Sequence, residues 1–195
     1  MEYLEFFLYG LIQGLTEFIP VSSTAHLKII SLFLGIDDPG SSLSAIIQLG
    51  SILALFWYFR NDFFKLRSQS KKNILDYFLH QKLVRSILIG TIPIVSLGGS
   101  IKLFTPYFFE KILRSNLSIA LVSFVMAIFM YIAEISKKGS TNLKNHNYSD
   151  SLLIGLSQAF AIFPGISRSG VTISTALVSG WERVDAAKFS FILGI

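Results

Sequence analysis

Apolar residues run almost without interruption through 42–59, 83–104 and 116–135, each close to the roughly 20 residues a helix needs to cross a hydrocarbon core. A fourth apolar run begins near 187 and reaches Ile195, which predicts the start of a further span and a sequence truncated at its C-terminal side. Four shorter apolar runs, 3–19, 24–35, 150–163 and 170–180, are too short to cross and meet in pairs at Pro20 and at Pro164-Gly165. Proline in the middle of an apolar stretch ends or kinks a helix, so each pair predicts two half-helices around a break: re-entrant helical hairpins over 3–35 and 150–180. Non-helical backbone at membrane depth is tolerated where it is buried in protein or lines a wet cavity. The two breaks are therefore expected to face each other inside the bundle.

The expected fold is an all-α polytopic membrane protein forming one membrane domain over 1–195. Composition agrees: 52% hydrophobic, 15% charged, mean hydropathy +0.59, outside the range of ordinary soluble domains. The net charge of +5 does not point to nucleic acid, because the cations gather in the polar gaps between apolar runs. Arg60, Lys65, Arg67, Lys71, Lys72 and Lys82 lie between the first two spans, and Lys137, Lys138 and Lys144 follow the third. By the positive-inside rule both gaps are cytoplasmic, and 105–115, with Lys111 and Arg114 beside Glu110, falls outside by alternation. His80 and His146, in the polar gaps, read as solvated. Glu134, near the inner end of a span, reads as a side chain reaching for water, and Asp37-Asp38-Pro39-Gly40 as an outside turn. With no cysteine, thiolate catalysis and zinc–thiolate sites are excluded.

A shift of 145 residues lays Gly10, Leu11, Gln13, Phe18 and Ser22 on Gly155, Leu156, Gln158, Phe163 and Ser167. The shift predicts a duplicated unit: 1–135 as the first repeat, hairpin plus three spans, and 150–195 as an incomplete second. The first hairpin would enter from outside and the second from inside, which makes an inverted-topology repeat. Adding the offset to 135 predicts about 280 residues for two complete units.

The chemistry concentrates at the breaks, Gln13-Gly-Leu-Thr-Glu-Phe-Ile-Pro-Val-Ser-Ser-Thr-Ala-His26 and Pro164-Gly-Ile-Ser-Arg-Ser-Gly170. Arg168 sits in an apolar region where a charge costs about 2.5–3.5 kcal/mol on insertion scales, and its planar fork of donors suits phosphate. Gly165, Ser167, Ser169 and Gly170 form a small-residue loop opening a helix, which can present backbone N–H groups to an anion. The plainer reading is that the serines cap the helix and Arg168 snorkels. In the first break Ser22, Ser23 and Thr24 place hydroxyls at a helix start, and His26, three residues after Ser23, is positioned to exchange a proton with a hydroxyl or water; a hydrogen-bonded core histidine is the alternative. Gln13 and Glu17, four apart, share a helical face. Glu17 needs Arg168, His26 or a divalent cation as partner, and a structural Glu17–Arg168 ion pair is the plainer outcome. Ile162 replaces Glu17 and Arg168 replaces Ser23 in the second unit, so one unit supplies carboxylate, hydroxyl and imidazole while the other supplies the cation.

These strings, with Ile47-Gln-Leu-Gly-Ser-Ile-Leu53 and Pro164-Gly-Ile-Ser-Arg-Ser-Gly-Val-Thr-Ile173, resemble the bacterial undecaprenyl-diphosphate phosphatase family, membrane enzymes associated with bacitracin resistance. The resemblance implies hydrolysis of undecaprenyl diphosphate to the monophosphate and inorganic phosphate, recycling the carrier lipid for peptidoglycan synthesis. It also implies a multi-pass protein of the bacterial plasma membrane with a site reached from the outer face. A divalent cation, Mg2+ or Ca2+, is implied, with Glu17 and Gln13 at the family's paired acidic positions; neutral Gln13 reduces the charge available for holding it. By the same resemblance Ser23 matches the proposed nucleophile, His26 the motif histidine and Arg168 the second motif's arginine, with Ser22, Thr24 and the 165–170 loop around the phosphates. Ala25 stands where glycine is common. Bacitracin would act indirectly, by sequestering the lipid diphosphate. The sequence leaves a homodimer open. A lipid-phosphate flippase or anion transporter built on the same midplane site is the rival class of function.

Overall fold

The computed structural model describes residues 3–68, 81–104, 112–136 and 139–195. Lys71, Lys72, Asp76, His80, Glu110, Lys111, Lys137 and Lys138, and the side chains of Lys65 and Arg67, lie outside that description. Among the described residues the chain is all-helical and has no β-strand: α1 Tyr3–Thr16, α2 Ser23–Leu34, α3 Gly40–Ser68, α4 Lys82–Phe104, α5 Asn116–Ser136, α6 Tyr148–Ala159, α7 Arg168–Val178 and α8 Arg183–Leu193. A single turn of 3-10 helix, Phe160–Ile162, follows α6. Three of the helices are long and apolar enough to cross a membrane, over Gly40–Asp62, Lys82–Ile101 and Asn116–Ser136. Their outward faces carry Leu49, Leu53, Trp57, Val95, Leu103, Leu121, Phe124 and Val125 in exposed positions, the arrangement expected where lipid rather than water is the solvent.

The helix ends have local causes. Ser22 and Ser167 cap α2 and α7, each hydroxyl oxygen accepting from the backbone N–H three residues on, Ala25 at 3.4 Å and Gly170 at 3.1 Å. Such caps satisfy one of the orphan donors at a helix start. The two serines, and the two helices they start, are 145 residues apart. Gly35, at φ 65°, closes α2 in the left-handed conformation and gives its N–H to Ser31 O, a conformation that glycine adopts without a Cβ penalty. Asn147 and Asp150 form a capping box at α6.

Several boundaries differ from the expectation. α1 stops at Thr16 rather than running to 19, with a turn over 17–20, because Pro20 has no N–H for the Thr16 carbonyl and its ring would clash with it. α3 continues past its apolar part to Ser68, since nothing in its charged end breaks a helix. The charged stretch expected to precede the last span is itself the start of α8, from Arg183 onward.

α1 packs on α2, and α6 on α7. Tyr9 of α1 is fully buried, its hydroxyl 2.8 Å from Ser31 Oγ of α2 and donating to Asp37 O at 2.7 Å. In the second unit, α6 packs on α4 so closely that a Cβ at Gly155 would lie 2.3 Å from Gly90 O, the small-residue contact through which membrane helices approach. The deepest cluster gathers Ile154, Ala176, Leu177, Trp181, Ala186, Phe189 and Leu193.

Two polar ends complete the bundle. At one, Asp38 accepts from Lys28 at 2.6 Å and from Arg114 at 2.9 Å, tying the α2–α3 turn to the residues before α5. Burial raises the Asp38 carboxyl pKa, but the hydrogen bonds from Arg114 and then Lys28 outweigh it and bring the value down to about 2. At the other end Lys188 pairs with Asp62 at 2.8 Å, and Arg183 pairs with Glu134, so Glu134 has a salt-bridge partner on α8 as well as its place near water. His146 corrects the sequence reading: it is completely buried, not solvated. Its Nδ1–H donates to Leu143 O at 2.9 Å and its Nε2 accepts from Ser86 Oγ at 2.7 Å, with the Trp181 and Phe189 rings 5.1 and 6.0 Å away. The apolar cover came from residues 35 and more positions distant, beyond the reach of local polarity.

Gly155→Ala should destabilise the fold by about 1–3 kcal/mol through overpacking, whereas Gly10→Ala, at the equivalent position with nothing within 4 Å, should be neutral; chemical unfolding in detergent compares them. Burial pushes the His146 imidazole below its ordinary value, so the unfolded chain takes up the proton first as pH falls. Its stabilisation is full above the unfolded value of about 6.5 and is lost as pH falls through the folded value. Melting temperature should accordingly drop between pH 7.5 and 5.5, and His146→Gln should flatten that slope.

Candidate active site

The two breaks come together around Glu17. Its carboxylate accepts four donors from four helices: Gln13 Nε2 of α1 at 2.7 Å and Ser23 Oγ of α2 at 2.8 Å on Oε2, Gln48 Nε2 of α3 at 3.1 Å and Arg168 Nη2 of α7 at 3.2 Å on Oε1. The Glu17 side chain is 7% exposed and that of Arg168 22%. A buried carboxylate is costly unless charge and hydrogen bonds satisfy it, and here both oxygens are saturated. Arg168 is held from its other side by Nη1 donating to Gly194 O at 2.6 Å.

Beside this cluster lies a cavity of about 250 Å³ lined by Glu17, Ser22, Ser23, Thr24, Gln48, Ile94, Ala161, Ile162, Ile166, Ser167 and Arg168. Polar groups thus face one another across an apolar floor. Gly165, Ser169 and Gly170, expected around the phosphates, do not line it. Gly165, at φ 104°, lies with its Cβ direction 2.8 Å from Ile119 O and accepts from Ser123 Oγ at 3.2 Å, so it seats the loop on α5. Gly170 gives its N–H to the Ser167 cap. Ser169 Oγ lies 3.2 Å from Ser167 Oγ and 3.5 Å from both Glu17 O and Ile19 O, joining one break to the other.

The Ser23 hydroxyl donates to Glu17, not to the imidazole that the sequence spacing put near it. His26 Nδ1 instead donates to Ser22 O at 3.0 Å, and the ring is not part of the cavity wall. Ser22 is held at φ 63°, ψ 94°, the one non-glycine residue with positive φ among those described. Such strain persists where its surroundings over-determine it, and the histidine and the serine cap do so. The result aims the next residue, Ser23, at Glu17.

Gln48 was assigned no role in the sequence. Its signal was an amide within an apolar span, where polar side chains usually mark a site. Among the described residues no group of three His, Cys, Asp or Glu side chains comes together as a metal cage. Glu17 is the one carboxylate among the residues lining the cavity, with the Gln13 amide donating to it.

Residues 6–195 match the family model described as bacitracin resistance protein BacA. Among curated relatives, an undecaprenyl-diphosphatase of Prochlorococcus marinus (strain MIT 9312) is 78% identical over 194 residues, 100% of this chain and 72% of that protein. The one from strain AS9601 is 76% identical over 195 residues, 71% of its length. The undecaprenyl-diphosphatase of Trichodesmium erythraeum (strain IMS101) is 48% identical over 191 residues, 96% of this chain and 61% of that protein.

Proposed function

The chain belongs to the bacitracin resistance protein BacA family, and we propose that its cavity hydrolyses undecaprenyl diphosphate to undecaprenyl phosphate and inorganic phosphate. One observation carries this reading: a serine hydroxyl donates to a buried carboxylate whose other oxygen pairs with an arginine of the opposite unit. A nucleophile, a base and a cation of phosphate-binding geometry share one small cavity. Arg168 spends two N–H donors on Gly194 O and Glu17, and the rest of its five-donor fork serves the diphosphate together with the hydroxyls of Ser22, Thr24 and Ser167.

Phosphoryl transfer needs positioning and neutralisation of charge more than covalent chemistry. Ser23 Oγ attacks the terminal phosphorus while Glu17 takes its proton. A Ser23–phosphorus bond forms, the bridging phosphorus–oxygen bond breaks, and its electrons leave with undecaprenyl phosphate. Water then cleaves the phosphoserine and releases inorganic phosphate, the proton passing back through Glu17. His26 acts as a positioning residue that holds the strained Ser22 turn. A divalent cation would be held by Glu17 and the Gln13 amide oxygen and would neutralise diphosphate charge.

The same reading places the chain in the bacterial plasma membrane as two re-entrant hairpins in inverted repeats, with the Lys28–Asp38–Arg114 end outside and the Asp62, Glu134, Arg183 and Lys188 end inside. The lysine-rich gaps support this orientation, and the serine-capped starts of α2 and α7, 145 residues apart, support the repeat. Regenerating the carrier lipid serves peptidoglycan synthesis, and consuming its diphosphate removes the species that bacitracin captures.

Phosphate release from undecaprenyl diphosphate in detergent, where no gradient exists, tests the reading. Arg168→Lys keeps the charge opposite Glu17 but loses the fork, and should lower kcat by about 100- to 1,000-fold. Ser23→Ala should abolish both turnover and a trappable labelled serine adduct. Full activity in Ser23→Ala would exclude the covalent step, and lipid-phosphate movement without hydrolysis would favour a carrier.

A further inference from the structure

Glu17 keeps its aim through a division of labour between its two oxygens. On Oε2, Gln13 and Ser23 belong to the same helix–break–helix unit as the carboxylate; on Oε1, Gln48 and Arg168 arrive from α3 and α7. The Oε1 pair differs in charge. Arg168 carries a guanidinium that a phosphate, with more negative charge and a matching geometry, competes for. Gln48 carries a neutral amide on a rigid, membrane-length helix. It lines the same cavity, yet it has no net charge for the phosphate to pull on.

Substrate arrival therefore changes the balance at Glu17. As the guanidinium turns toward the diphosphate, Oε1 loses its charged partner, and the incoming anion repels the carboxylate. With Oε1 then unheld, the side chain would rotate and Oε2 would leave the Ser23 hydroxyl. We propose that Gln48 is the positioning residue that prevents this: its amide keeps Oε1 in place while Arg168 is shared with substrate, so that Oε2 still receives the Ser23 proton. A lysine or arginine at this position would follow the phosphate, an acidic residue would repel Glu17, and an aliphatic one would leave Oε1 without a donor. The inference rests on the phosphatase reading given above.

Steady-state phosphate release from undecaprenyl diphosphate by Gln48→Met, which keeps volume and removes the donor, tests it. Arg168 and the hydroxyls that hold the phosphate are untouched, so KM should stay within about twofold while kcat falls about 10- to 100-fold, the scale of a small misplacement of reacting groups. Gln48→Asn keeps the amide but withdraws it by one methylene, and should fall between wild type and Gln48→Met in kcat, again at constant KM. Thermal unfolding of each variant separates loss of folded protein from loss of turnover. A wild-type kcat in both variants would overturn the proposal. So would a raised KM at unchanged kcat, which would make Gln48 a substrate contact, or a wild-type kcat in Gln48→Asn when Gln48→Met is unfolded. Absence of phosphate release by the wild-type protein would overturn the phosphatase reading as well, and only that result does so.

Discussion

A single carboxylate in an apolar bundle is the constraint from which the rest follows. Left unpaired, Glu17 would be intolerable at this depth, because neither lipid nor apolar side chains can replace the water it loses. The structure meets the demand with donors from α1, α2, α3 and α7. The breaks at 17–22 and 160–167 are what let those four helices converge on one carboxylate. The saturation that makes the carboxylate tolerable also orients the Ser23 hydroxyl and the Arg168 guanidinium.

The two units reach this arrangement with the same backbone device and different side chains. Each has a short helix, a break, a serine cap and a second short helix that begins 145 residues from its counterpart. What differs is the residue just inside the cap, Ser23 in one and Arg168 in the other, and the residue before the break, Glu17 in one and Ile162 in the other. Two serine-capped helix starts thus carry different side chains, a hydroxyl in one and a guanidinium in the other. Around them, the close Gly90–Gly155 approach, the Trp181–Phe189–His146 cluster and the Lys188–Asp62 and Arg183–Glu134 pairs tie residues 146–193 to α3, α4 and α5.

Apolar runs of bilayer length, prolines and glycines at the breaks, and an arginine among apolar neighbours are one-dimensional signals. From them the helices, their rough limits and the need of Glu17 and Arg168 for partners were legible, because hydrocarbon thickness and the cost of a buried charge act on the chain segment by segment. The limits that moved did so for local reasons, as where Thr16 ends α1 ahead of Pro20 and where α8 begins within charged residues.

The Glu17–Arg168 pair was expected and is present, but most other partnerships were not legible, since they depend on which side chains the folded helices bring within hydrogen-bonding distance. Spacing put His26 beside Ser23, yet the turn at Ser22 directs the hydroxyl to Glu17 and the imidazole to a carbonyl. Polarity put His146 in water, yet Trp181 and Phe189 close over it. Gln48, 31 residues from Glu17 in sequence, had no local mark beyond its polarity. The sequence alone determined what must be hidden from lipid, where the backbone must bend and that the buried carboxylate and guanidinium need each other; tertiary packing decided the remaining partnerships, because a hydrogen bond is set by distance in space and a linear pattern carries only distance along the chain.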